Sequence, residues 1–87
     1  MKLEHIGIAI KNLEESKELF TELFNKKPYK DEGVESEGVL TTFFQTGDSK
    51  IELLSATSED SPIAKFIEKK GEGIHHLAFE VEDIEKE

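Results

Sequence analysis

Two stretches of the chain lie over one another and decide the fold. Leu3-Glu4-His5-Ile6-Gly7-Ile8-Ala9-Ile10-Lys11-Asn12-Leu13-Glu14 aligns with Ile74-His75-His76-Leu77-Ala78-Phe79-Glu80-Val81-Glu82-Asp83-Ile84-Glu85 at an offset of 71. Only two of the twelve positions are identical, but the matched roles say more. His5 meets His76, small Gly7 meets small Ala78, and Asn12 meets Asp83, both good helix caps. Ile6, Ile8 and Ile10 alternate with His5, Gly7 and Ala9, the period of a strand with two unlike faces. Each stretch therefore reads as a strand running into a capped helix. An internal repeat of this kind outranks single-element readings.

Working outward from the first copy, Leu3 to Ile10 is the strand and Asn12 caps a helix, with Glu15 three residues on. Leu13, Ser16, Leu19, Phe20, Leu23 and Phe24 follow at helical spacing as one apolar stripe, and Pro28 is expected to end the helix. Tyr29 to Ser36 is polar and reads as an irregular edge strand. Gly38 to Gln45 and Ser49 to Ser55 are strands joined by a turn at Gly47-Asp48, which pairs Thr46 with Ser49 and Phe43 with Glu52. That register puts Thr41, Phe43, Gln45, Lys50, Glu52 and Leu54 on one face. Leu40, Thr42, Phe44, Ile51 and Leu53 take the other, under the helix. Ser61 caps a second helix with Pro62 at its first position, and Gly71 or Gly73 stops it. Ile74 to Val81 is the last strand, and Asp83 caps a further helix. The fold class is thus α+β. Residues 1–73 make a first β-α-β-β-β module, and residues 74–87 begin a second that the chain leaves incomplete.

Composition narrows the function. The chain has 87 residues, 20 acidic against 11 basic, and a formal net charge of -9. No stripe of Lys and Arg is present to neutralise phosphates, which argues against nucleic acid. The absence of cysteine excludes disulfides, thiolate zinc sites and a cysteine nucleophile. The longest apolar run, Ile6 to Ile10, is far below the ~18 residues that suggest a membrane span. With no apolar stretch behind Met1-Lys2-Leu3-Glu4, the expected location is the cytoplasm. A lone chain this short buries only ~60% of its unfolded surface, so a partner or further sequence is expected.

The strand faces point to a metal. His5 shares its face with Gly7 and Ala9, and His76 shares its face with Ala78 and Glu80, so both imidazoles stand over small residues. Glu52 projects from the same face of its own strand, whereas His75 is expected to point the other way, as Glu4 does. A lone strand histidine is usually structural, and a lone strand glutamate is usually solvated. The repeat-matched pair with a carboxylate between them instead suits a divalent first-row metal with open positions. By the repeat, a fourth ligand would lie about 71 residues beyond Glu52, outside this sequence. The six phenylalanines, among them Phe79, read mostly as core. Gly71-Glu72-Gly73 precedes a strand instead of following one, so it is not a dinucleotide loop. Ser55, Ser58 and Ser61 have no base nearby, so no nucleophile is apparent.

The opening Leu3 to Ala9, the run Lys50-Ile51-Glu52-Leu53-Leu54, the segment Asp60-Ser61-Pro62-Ile63-Ala64-Lys65-Phe66 and the segment Gly73 to Val81 resemble the methylmalonyl-CoA epimerases. These belong to the vicinal oxygen chelate superfamily, with glyoxalase I and the extradiol dioxygenases. The resemblance implies paired β-α-β-β-β modules around a divalent metal such as Co, Mn, Ni, Zn or Fe. Carried over by position, the family's ligands fall on His5, Glu52 and His76, while the fourth, a glutamate, has no position here. Bacterial relatives can carry an acid/base glutamate where this chain has Thr41; the other acid/base group is that missing glutamate. The implied activity of a complete protein is epimerisation of methylmalonyl-CoA at C2, with a coenzyme A thioester as substrate. Separately, an open half-cleft exposes strand edges that invite a second chain, so a homodimer is expected. The alternatives are a glyoxalase I type lactoylglutathione lyase and a non-catalytic ligand-binding module of the same fold.

Overall fold

The computed structural model describes residues 1–81. The helix expected after Asp83 lies outside them. The elements are β1 (Lys2–Ala9), α1 (Leu13–Phe24), β2 (Lys30–Val34), a short 3-10 turn (Glu35–Glu37), β3 (Val39–Thr46), β4 (Ser49–Ala56), α2 (Pro62–Lys70) and β5 (Gly73–Glu80). The strands form one sheet in the order β2-β3-β4-β1-β5. β1 is parallel to β4 and antiparallel to β5, so the two repeat strands are neighbours.

The β3–β4 hairpin has the expected register, Thr46 opposite Ser49 and Phe43 opposite Glu52. The faces follow from it. Phe44 and Leu53 are fully buried beside Ile10, and Ile8, Ile51, Leu13, Phe20 and Phe24 pack around them beneath α1. On the other face, Ala9, Leu54 and Ile63 form a second cluster with Phe66 and Ile67 of α2. Burial of a side chain such as Phe44 or Leu53 contributes about 1.5–3 kcal/mol. Both caps form as the sequence predicts. Asn12 Oδ1 accepts from the Glu15 N–H at 3.1 Å, and Ser61 Oγ from the Ala64 N–H at 3.0 Å. Gly71, at φ 80, is the residue that ends α2.

Four expectations need correction. α1 ends at Asn25 in the left-handed region (φ 55), three residues before Pro28, because asparagine tolerates that conformation and releases the chain early. The stripe on α1 is narrower than the spacing suggested. Leu19 and Leu23 are 60% and 68% exposed, since each lies about 100° around the helix from Phe20 and Phe24, which meet the sheet. β2 is regular, pairing Lys30 to Val34 with Phe43 to Val39; it reads as polar because it is an edge. Finally, Phe79 is 55% exposed on the opposite edge strand, not core.

Candidate metal centre

Gly7 is the floor of the site. Parallel pairing sets Glu52 of β4 on one side of it, and antiparallel pairing sets His76 of β5 on the other. The His76 ring lies across the glycine so closely that a Cβ there would overlap it. A larger residue there would require the His76 ring to move. His5 stands on the same face two residues earlier, and its ring meets that of His76 edge-on at 5.0 Å between centroids. The two Nε2 atoms are 3.0 Å apart, and Glu52 Oε2 lies 3.5 Å from His5 Nδ1. One ligand atom from each of His5, Glu52 and His76 falls within 4.8 Å of the others, so the structure brings the three predicted residues together.

The donor set fits a divalent ion. Two imidazoles and a carboxylate suit first-row metals, with positions left for water or substrate. Two nitrogens each ~2.1 Å from one ion and at right angles to it are about 3.0 Å apart, close to the Nε2–Nε2 spacing here. Burial holds the His76 pKa below its ordinary value, and the neighbouring His5 and His75 add to this, with Glu52 opposing. A ring kept neutral near pH 7 is the form a metal binds.

The ladder between β1 and β5 is irregular at two places. It slips by one residue at Glu4, between Leu3 and His5, and by one at His75, between Gly7 and Ile8. Glu4 and His75 are counterparts at the offset of 71, so the repeat carries a β-bulge immediately before each candidate ligand. The bulge corrects the expectation that His75 points away. Its Nδ1 lies 3.0 Å from His76 Nδ1, and its ring sits against Phe66 of α2 at 4.9 Å. Glu4 likewise turns to its neighbour. Its Oε1 accepts from His5 Nδ1 at 2.5 Å, and its Oε2 accepts from Lys50 Nζ at 2.9 Å. Glu4, Lys50 and His75 were missed as parts of the site; strict alternation puts Lys50 on the Glu52 face but hides Glu4 and His75, which only adjacency to a ligand histidine would have marked. Thr41 stands two residues from Phe43 on β3, across the ladder from Glu32 and Leu54.

A sequence profile of the Glyoxalase/Bleomycin resistance protein/Dioxygenase superfamily matches residues 4–87. The chain belongs to this superfamily. Among superfamily relatives, the mitochondrial methylmalonyl-CoA epimerase of Dictyostelium discoideum is 39% identical over 84 residues, covering 95% of this chain and 51% of its own. A hypothetical protein of Bacillus halodurans has a similar structure, with a TM-score of 0.87, 47% identity, and coverage of 98% of this chain and 62% of that one. Streptomyces coelicolor methylmalonyl-CoA epimerase, solved with 2-nitronate-propionyl-CoA, gives a TM-score of 0.81 at 33% identity, covering 99% of this chain and 66% of that one. The α+β fold is therefore that of the superfamily. The chain spans about half the length of the curated relatives it matches, 56% and 51% for two of them.

Proposed function

We propose that the chain supplies the metal-holding part of an epimerase that inverts C2 of methylmalonyl-CoA. The observation that carries this reading is the convergence of His5, Glu52 and His76 over Gly7. Relatives named methylmalonyl-CoA epimerase along nearly the whole chain support the substrate. In this reading residues 1–73 are the first module and residues 74–87 begin the second.

His5, His76 and Glu52 would hold the ion. A divalent metal bound there supplies Lewis-acid stabilisation to the enolate oxygen that develops as the α-proton leaves. Proton removal and return need a base and an acid on opposite faces of C2. Thr41 has a hydroxyl, not a carboxylate, at one of those stations, so it offers no base of its own. We place the other acid/base group, a glutamate that is also the fourth ligand, beyond residue 87. A homodimer acting in the cytoplasm is part of the same proposal. The open edge of β5 among the described residues supports the dimer. Among the described residues, no helix is long and apolar enough to cross a membrane.

Thr41 favours a second reading, a module that binds a ligand on a metal without turning it over. Titration with Co(II), followed by visible absorption, and exchange of the C2 proton of methylmalonyl-CoA into deuterated water test both. Saturable binding lost in His76→Ala is the expected result for this chain, and exchange lost in the same variant is expected of a longer protein that also carries the acid/base glutamate. In that longer protein, binding without exchange supports the second reading, and turnover of a glutathione hemithioacetal instead supports a lyase. Co(II) binding that survives His76→Ala overturns the site.

A further inference from the structure

Side chains of adjacent residues in a regular strand point to opposite faces, so residue i is poorly placed to bond the ring of residue i+1. β1 breaks that rule at Glu4. As the extra residue of a bulge, Glu4 reaches Nδ1 of the next residue, His5, at hydrogen-bond distance, with Glu52 Oε2 farther off at 3.5 Å, while Lys50 holds the second Glu4 oxygen. We propose that Glu4 is a positioning residue, fixing His5 with its proton on Nδ1 and its Nε2 bare toward His76.

The proton assignments follow from what each group can do. An ionised carboxylate only accepts, so the short contact to Glu4 requires the proton on His5 Nδ1. A neutral His5 then has a bare Nε2, which accepts from His76 Nε2–H across 3.0 Å. His76 Nδ1 is in turn an acceptor, and His75 Nδ1 donates to it. The four side chains form a one-way chain ending on the Glu4 carboxylate.

The two ends of the chain differ. His5 already has the tautomer in which Nε2 ligates a metal and Nδ1–H is anchored to a carboxylate, an arrangement that orients a ligand ring and raises its basicity. His76 has the opposite tautomer, and its partner is another imidazole, His75, instead of a carboxylate. His5 is therefore the preset ligand and His76 the adaptable one. Lys50 belongs to the device through its position directly beside His5 in the parallel ladder.

The consequence for metal affinity rests on the metal reading above, whereas the tautomer does not. Long-range proton–nitrogen correlation spectra of the metal-free protein at pH 8 read the protonated nitrogen of each ring directly. Wild type is expected to show His5 as the Nδ1–H form. Glu4→Ala is expected to raise the share of Nε2–H, the form neutral imidazole prefers in water, with Glu52 beside Nδ1 retaining part of the Nδ1–H form. Glu4→Gln, whose amide oxygen still accepts, is expected to restore much of the Nδ1–H form. In parallel, the dissociation constant for Co(II) should rise about 10- to 100-fold in Glu4→Ala, with stoichiometry and absorption bands unchanged. An unchanged His5 tautomer in a folded Glu4→Ala protein overturns the proposal. If wild type binds no Co(II), the metal reading fails and the spectra still decide the role of Glu4.

Discussion

β1 and β5 carry the same motif in two very different settings. β1 lies between β4 and β5, with α1 above one face, and Ile10 is 5% exposed just past its end. β5 is an edge strand. Val81, the counterpart of Ile10 at the offset of 71, is 41% exposed, and Ile74, Leu77 and Phe79 are more exposed still. The ladder between the strands nevertheless obeys the repeat. His5 pairs with Ala78, and Gly7 with His76, the same two residue pairs seen from either strand. Local pattern thus sets which way a side chain faces and which partner it meets. What covers the face is set by the rest of the chain, a helix and hairpin for β1, and for β5 among the described residues only α2, whose Phe66 sits against His75.

Matched substitutions break the comparison most sharply in the apolar residues. Ile10→Ala should destabilise the fold by about 2–5 kcal/mol, the usual range for emptying a buried aliphatic site. Val81→Ala should stay within about 0.5 kcal/mol in this chain, as surface changes do. Urea unfolding followed by circular dichroism measures both. Equal losses would show that Val81 is covered in solution, by a second copy or by further sequence.

The small residues give the next effect. Gly7→Ala forces a methyl group into the His76 ring, so it should cost about 1–3 kcal/mol of stability and weaken Co(II) binding together. Its counterpart Ala78→Gly adds no atoms, and should cost only about 0.5–1 kcal/mol through backbone entropy, leaving Co(II) binding intact. Titration and unfolding of the two variants side by side check the pair. A well-tolerated Gly7→Ala would mean that His76 does not rest on Gly7.

Part of this arrangement was legible in the sequence, and part was not. The Gly47-Asp48 turn leaves little choice of register, so the pairing of Phe43 with Glu52 follows from a two-residue connection. The repeat and the period of two put His5, His76 and Glu52 on one face, which is most of the candidate site. The sheet order was not legible, because parallel pairing of β1 with β4 joins residues some 45 positions apart with no local signal. Nor were the bulges. An extra residue shifts the faces by one without altering composition, so Glu4 and His75 read as outward-facing residues. The exposure of Leu19 and Leu23 shows the same limit, since a helical stripe gives the direction of burial but not its width.

The smallest expected effect separates the two strands by pH. His76 on β5 is held below its ordinary value of 6.5, chiefly by burial. As pH falls through about 6.5 the unfolded chain takes up the proton first, so stability present above that pH is progressively lost. Glu4 on the β1 side is held below its ordinary 4.5, first by the hydrogen bond from His5 and then by Lys50. The unfolded chain again binds the proton first, so this contribution is intact above about pH 4.5 and lost below it. Both groups therefore destabilise the fold on acidification, in separate windows. Urea midpoints measured from pH 8 to about 2 should fall in two stages. His76→Ala should flatten the upper stage and leave the lower. Glu4→Gln should soften the lower stage only in part, because Asp31, held low by its bond from Thr42, titrates in the same range. An upper stage that persists in His76→Ala would assign it to another group, and the contrast between the strands would then rest on packing alone.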